Sequence, residues 1–157
     1  MINDLLLNSL STFYDKNNNL DQLHQILSNQ KKISLRLIDW FTTNYSKKNN
    51  IIYLIYKDKN NNKTLQDGNS LDIQFNVYNS YKSQLKAYSK KQFDPFCRRE
   101  RIKFKCSGKT IDTTIGQLNF FRWIINNRVI DYIESNIDDI EIDMNDSLKN
   151  IKNGYKK

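Results

Sequence analysis

IIYLIY at 51–56 and LDIQFNV at 71–77 decide the fold class, because both carry strand chemistry in a chain whose flanks read as helix. The first is a continuous run of β-branched and aromatic residues, short enough for a buried strand. The second alternates strictly: Leu71, Ile73, Phe75 and Val77 face one way, Asp72, Gln74 and Asn76 the other. Between them lies KDKNNNKTLQDGNS (57–70), polar throughout, with Asp67-Gly68 as its turn signal. The spacing predicts an antiparallel hairpin with an overlong, mobile loop.

Upstream the apolar period lengthens to that of a helix. Leu6, Leu10 and Phe13 form one stripe, Leu20, Leu23 and Leu27 a second, and Ile33, Leu37, Phe41 and Tyr45 a third over 33–46, with Trp40 beside it. The three helices are expected to pack together. NNN at 17–19 and at 60–62 reads as loop filler: Asn, Ile and Lys make 60 of the 157 residues, a bias of A/T-rich codons.

Downstream, 79–91 reads as a helix with Tyr81, Leu85 and Tyr88 on one stripe and Lys82, Lys86 and Lys90 on the next. Asp94-Pro95 is expected to end it, since proline disfavours helical geometry in the residue before it. RIKFKC at 101–106 alternates again. Ser107-Gly108 can turn the chain so that 109–113 returns as its partner. Thr114 to Gln117 fits a capping box ahead of LNFFRWII. Val129, Ile133, Ile137, Ile140, Met144, Leu148 and Ile151 then mark one last helix of about six turns.

The architecture expected is α+β: an N-terminal helical cluster, a small antiparallel sheet built from 51–57, 71–77, 101–106 and 109–113, and two C-terminal helices. One domain is expected over 1–157, helical to 48, with a β-hairpin and basic segment over 50–113 and helices over 114–152. A chain of this length can bury roughly 70% of its unfolded surface.

Charge is unevenly written. Ten Lys and Arg stand against two acids between 82 and 109, a net +8, while 131–146 carries a net −7 with no basic residue. The basic segment has two readings. One is phosphate contact by Lys82, Lys86, Lys90, Lys91, Arg98, Arg99, Arg101, Lys103 and Lys105, with Tyr81, Tyr88, Phe93 and Phe96 stacking on unpaired bases. The other is a solvated face on a lysine-rich protein. Codon bias inflates lysine but not arginine, and three of the six arginines fall within 98–101. The acidic 131–146 helix is either an ordinary wet face or a docking surface for protein partners or for the basic segment.

Catalytic constellations are not evident. His24 is the one histidine, read as solvent-facing, so nucleophile triads and zinc sites lack their ligands. SGKT at 107–110 resembles the end of a P-loop without its upstream glycine. Asp72, Asp94, Glu100 and Lys103 are too loosely spaced to mark a metal nuclease. The expectation is no enzyme, no cofactor and no metal. Cys97 and Cys106 read as free thiols in a reducing compartment. No run reaches the ~18 apolar residues of a membrane span, and MINDLLLNSLSTFYD lacks the basic start of a signal peptide, so a cytoplasmic setting is expected. Oligomeric state and the choice between DNA and RNA are open.

Residues 33–51, 75–102 and 113–134 are similar to small uncharacterised proteins of the large nucleocytoplasmic DNA viruses, the mimivirus-like viruses of amoebae and their algal relatives. The resemblance carries no site residues. It implies a setting in host cytoplasm, a viral factory or a virion, where a basic non-enzymatic protein would serve transcription or genome packaging, or act as a scaffold.

Overall fold

The computed structural model describes residues 2–67 and 70–154. The fold is α+β, with two antiparallel sheets among the described residues, one of three strands and one of two. The chain divides into two compact units, each assembled from two stretches: Met1–Leu35 with Lys82–Asn127, and Arg36–Tyr81 with Arg128–Lys157. The four expected strands therefore fall into two sheets, one per unit.

In the first unit the central element is Ile115–Asn126 (α6). Leu118, Phe120, Phe121, Trp123, Ile124 and Ile125 are all buried, so this helix is enclosed on nearly every side. Ile2–Tyr14 (α1) and Asn19–Leu27 (α2) pack on it. The buried stripe of α1 is Leu6, Leu10 and Tyr14, with Phe13 only half-buried. Tyr14 can go inside because its hydroxyl donates to the Leu118 carbonyl at 2.6 Å, and burial pushes that hydroxyl's pKa well up, so it stays a donor. In α2 the inward residues are Leu20, Leu23 and Ile26.

The Asn run between these helices does more than fill a loop. Asn17 takes the left-handed conformation (φ 52°), and the Asn19 side chain donates to the Phe13 carbonyl at 2.8 Å, closing the end of α1. The remaining elements of this unit are the strands Arg101–Cys106 (β4) and Lys109–Thr114 (β5) and the end of a helix described below.

The second unit holds the third expected helix from Arg36 onward, so nearly all of that helix is not grouped with the first two. It runs as Leu35–Trp40 (α3), a π-helical stretch Phe41–Tyr45 and Ser46–Lys48 (α4). In a regular helix at 100° per residue, Lys48 would stand about 80° round from Trp40. The wider π turn absorbs one residue and brings them into line. Both then reach Asp143: Trp40 Nε1 at 2.9 Å and Lys48 Nζ at 2.5 Å. Burial pushes the Asp143 carboxyl up, but the Lys48 and Trp40 hydrogen bonds and the Lys48 charge outweigh it and hold it below the ordinary value.

Ile52–Lys57 (β1) is the middle strand of its sheet, flanked by Lys63–Thr64 (β2) and Ser70–Asn76 (β3). It is not buried on both faces as its apolar run suggested. Ile55 is buried, while Ile52 and Leu54 are about two-fifths exposed. The strict alternation of β3 also fails: Ile55 pairs with Ile73 and Tyr56 with Leu71, so Asp72 is an extra residue, and Ile73 is 49% exposed. The connection expected to be an overlong, mobile loop holds β2, and Asp58 Oδ1 accepts from the Asn60 and Asn62 N–H groups at 2.9 Å. Of the expected Asp67-Gly68 turn, Gly68 lies outside the described residues. Tyr53 stacks on Tyr132 at 5.0 Å, with Phe75 and Phe41 against that pair.

The helix expected at 79–91 is Val77–Ala87 (α5). It begins early because Asn76 Oδ1 accepts from the Asn79 N–H, and it ends seven residues before Asp94. The last expected helix is divided into Val129–Ser135 (α7) and Ile137–Gly154 (α8). Asn136 leaves helical geometry (φ −127°, ψ 23°) while its side chain donates to the Tyr132 carbonyl. Along α8 the apolar stripe fades, from Ile140 fully buried to Ile151 exposed.

Candidate nucleic-acid interface

β4 and β5 form an antiparallel ribbon of six residue pairs closed by Ser107-Gly108. Both turn residues have positive φ (51° and 77°), the conformation of a tight hairpin turn that glycine takes without strain. Phe104 is buried on the inner face, edge-on to Tyr14 at 5.8 Å, and Cys106 lies on that side near the Ser11 carbonyl. The tip is pinned by Ser107 Oγ donating to Asp15 at 2.6 Å and by Lys109 pairing with Asp21 at 2.8 Å. SGKT is thus a hairpin turn and the start of β5, not a phosphate loop.

The outer face carries Arg101, Lys103 and Lys105, all exposed, at steps of about 7 Å along the strand. It also carries an acid. Asp112 pairs directly across from Lys103, with Nζ to Oδ1 at 2.8 Å. The Lys103 hydrogen bond and charge, helped by Arg101, hold the Asp112 carboxyl below its ordinary range, so it stays ionised. One of the three cations on this face is therefore already answered.

The segment before β4 folds over the start of α6. Gly116 permits this, since a Cβ there would lie 3.1 Å from the Lys91 carbonyl, and its own carbonyl accepts from the Asp94 N–H at 3.2 Å. Thr114 caps α6 as expected, accepting from the Gln117 N–H at 3.0 Å. The Gln117 side chain does not reach back to complete the capping box. Its Nε2 donates to the Pro95 carbonyl at 2.9 Å, and its Oε1 accepts from Thr113 Oγ1 at 2.7 Å and from Cys97 Sγ at 3.2 Å. Cys97 and Cys106 are both free thiols.

The nine expected phosphate contacts are all exposed but not equivalent. Lys82 and Lys86 lie on successive turns of α5, while Lys90 is past its end, so the lysine stripe is two residues long. Arg98 is occupied: its guanidinium forks onto Asp94 at 2.8 and 3.1 Å and lies over the Phe96 ring at 5.1 Å. Among the described residues Lys86, Lys90, Lys91, Arg99 and Lys105 make no ion pair. The strand cations share one face. Of the expected stacking aromatics, Phe93 is buried against Phe120 and Trp123, and Tyr81 belongs to the second unit.

No helix among the described residues is long and apolar enough to cross a membrane. No solved structure matches the chain. Over 139 residues it is 42% identical to an uncharacterized protein of Acanthamoeba polyphaga mimivirus. The match covers 85% of this chain and 49% of the viral protein, so the chain spans about half the length of that curated relative. Residues 2–157 match a family described as of unknown function, DUF7197. The viral protein is thus a relative in sequence, and this chain belongs to the family of unknown function that its residues 2–157 match.

Proposed function

We propose that this chain is an accessory, non-enzymatic nucleic-acid-binding protein that holds phosphates through its 82–109 segment. The observation that carries the reading is the outer face of β4, where Arg101, Lys103 and Lys105 stand in line on a pinned ribbon. Such a row, joined by Arg99, Lys86, Lys90 and Lys91, which make no ion pair among the described residues, is suited to a polyanion, because neutralising phosphates releases counterions. The mimivirus relative supports a viral setting, with transcription or genome packaging in host cytoplasm, factory or virion as the tasks. A second reading, a scaffold that binds protein, is favoured by exposed Ile142 and Ile151 on the acidic α8.

An anisotropy titration of labelled nucleic acid across a salt series tests the first reading. Binding at about 10⁻⁴ to 10⁻⁶ M near physiological salt, falling linearly in log–log form, is expected. Asp112→Asn should steepen the slope by about one unit and strengthen binding roughly fivefold, because it frees Lys103 for a phosphate. Absence of salt-dependent binding, or weaker binding by the Asn variant, would favour the scaffold.

A further inference from the structure

We infer that the nucleic acid taken by this surface is a double helix, held by its phosphate backbone with no base stacked on the protein. The inference rests on the nucleic-acid reading above. Proteins that hold single strands pair a cationic groove with open aromatic faces on which successive bases stack. Here every aromatic ring of the basic segment is already engaged. Phe93 is 2% exposed and lies against Phe120 and Trp123, at 5.1 and 5.8 Å between ring centres. Tyr88 is half-buried and stacked on Phe93, 12° from parallel. Phe96 has the Arg98 guanidinium over its face, and Phe104 is buried edge-on to Tyr14.

What remains exposed is charge on a rigid frame. Six residue pairs hold β4 to β5, and Asp15 and Asp21 hold the tip, so the Arg101–Lys103–Lys105 row cannot easily bend to follow a flexible strand. A duplex presents its phosphates at fixed spacing, with one charge per ~1.7 Å of axis, and needs no straightening. A single strand would have to be ordered along the row with no stacking to compensate.

The test compares duplex DNA, duplex RNA and single-stranded DNA of equal length at one salt concentration, with the intact chain and with Tyr88→Leu and Phe96→Leu. Expected is duplex binding about tenfold tighter than single-strand binding, and variant affinities within about twofold of the parent. Loss of a base-stacking ring would instead weaken single-strand binding by about five- to hundredfold. A tighter single-strand complex, or such a loss in either variant, overturns the duplex inference and leaves phosphate binding standing. Failure of all three nucleic acids to bind at low salt overturns both. Because the strand comparison needs only the unaltered chain, poor folding of a variant cannot leave the inference undecided.

Discussion

Gln117→Leu is expected to destabilise the first unit by about 3 kcal/mol, although the new side chain is apolar and suited to a buried site. Gln117 is 3% exposed and ties α6 to two other stretches of chain: the 95–97 loop, through the Pro95 carbonyl and Cys97, and β5 through Thr113. Leucine leaves the Pro95 carbonyl without its donor and removes the acceptor of the Thr113 hydroxyl. Each buried orphan costs about 1–3 kcal/mol, and Thr113 recovers part by turning to the Thr114 carbonyl, already 3.4 Å away. For a chain of this size the loss corresponds to a fall in Tm of about 6–12 °C. Thiol labelling gives a second, local readout, since Cys97 should react faster once its acceptor is gone.

Gln117→Glu separates hydrogen bonding from packing. A protonated carboxyl can still donate to Pro95 and accept from Thr113, whereas a carboxylate faces the Pro95 carbonyl with like partial charge. Burial raises the folded pKa of the new group above its unfolded value of ~4.3. Relative to the parent, the variant should therefore lose little below about pH 4 and progressively more as pH rises toward that folded pKa. A penalty independent of pH would mean that shape, not the hydrogen bonds, is what position 117 supplies.

The pairing of the strands was legible in the sequence; their grouping was not. Alternation in RIKFKC and the Ser107-Gly108 turn suffice to pair β4 with β5, and a two-residue turn sets 103 opposite 112 by counting. That count would also have exposed the Lys103–Asp112 pair. A charge sum over 82–109 conceals it, because the acids that answer Lys103 and Lys109 stand outside the window, at 112 and 21. Alternation says nothing about which hairpin joins which sheet, so the two-sheet arrangement had no local signal. The π turn at 41–45 is likewise silent, since one absorbed residue leaves the Leu37–Phe41–Tyr45 spacing intact and shows only in the alignment of Trp40 with Lys48. Aromatics among lysines suit a core and a base-stacking face equally well. Phe93 went to the core because Gly116 lets its segment lie close on α6.

Replacing Arg99, Arg101 and Lys105 together with Gln should weaken duplex binding by about a hundredfold at physiological salt and flatten the log–log slope by nearly three units, at about 0.9 per lost contact. These three are exposed, and none is held in a hydrogen-bonded ion pair among the described residues. Arg98→Gln alone should move the slope by less than one unit, because its fork is held by Asp94 and would have to leave that partner to reach a phosphate. The control must carry the same change in net charge. Lys16, Lys59 and Lys149 are exposed and scattered along the chain, so their triple Gln variant lowers the overall attraction equally while sparing the patch. If direct contacts set the slope, the scattered variant keeps it within about one unit of the parent. Equal flattening by both triples would mean that the whole charge, rather than the ribbon, attracts the polyanion. The β4 face would then be a solvated surface, and the exposed aliphatics of the acidic α8 would become the better guide to what this protein binds.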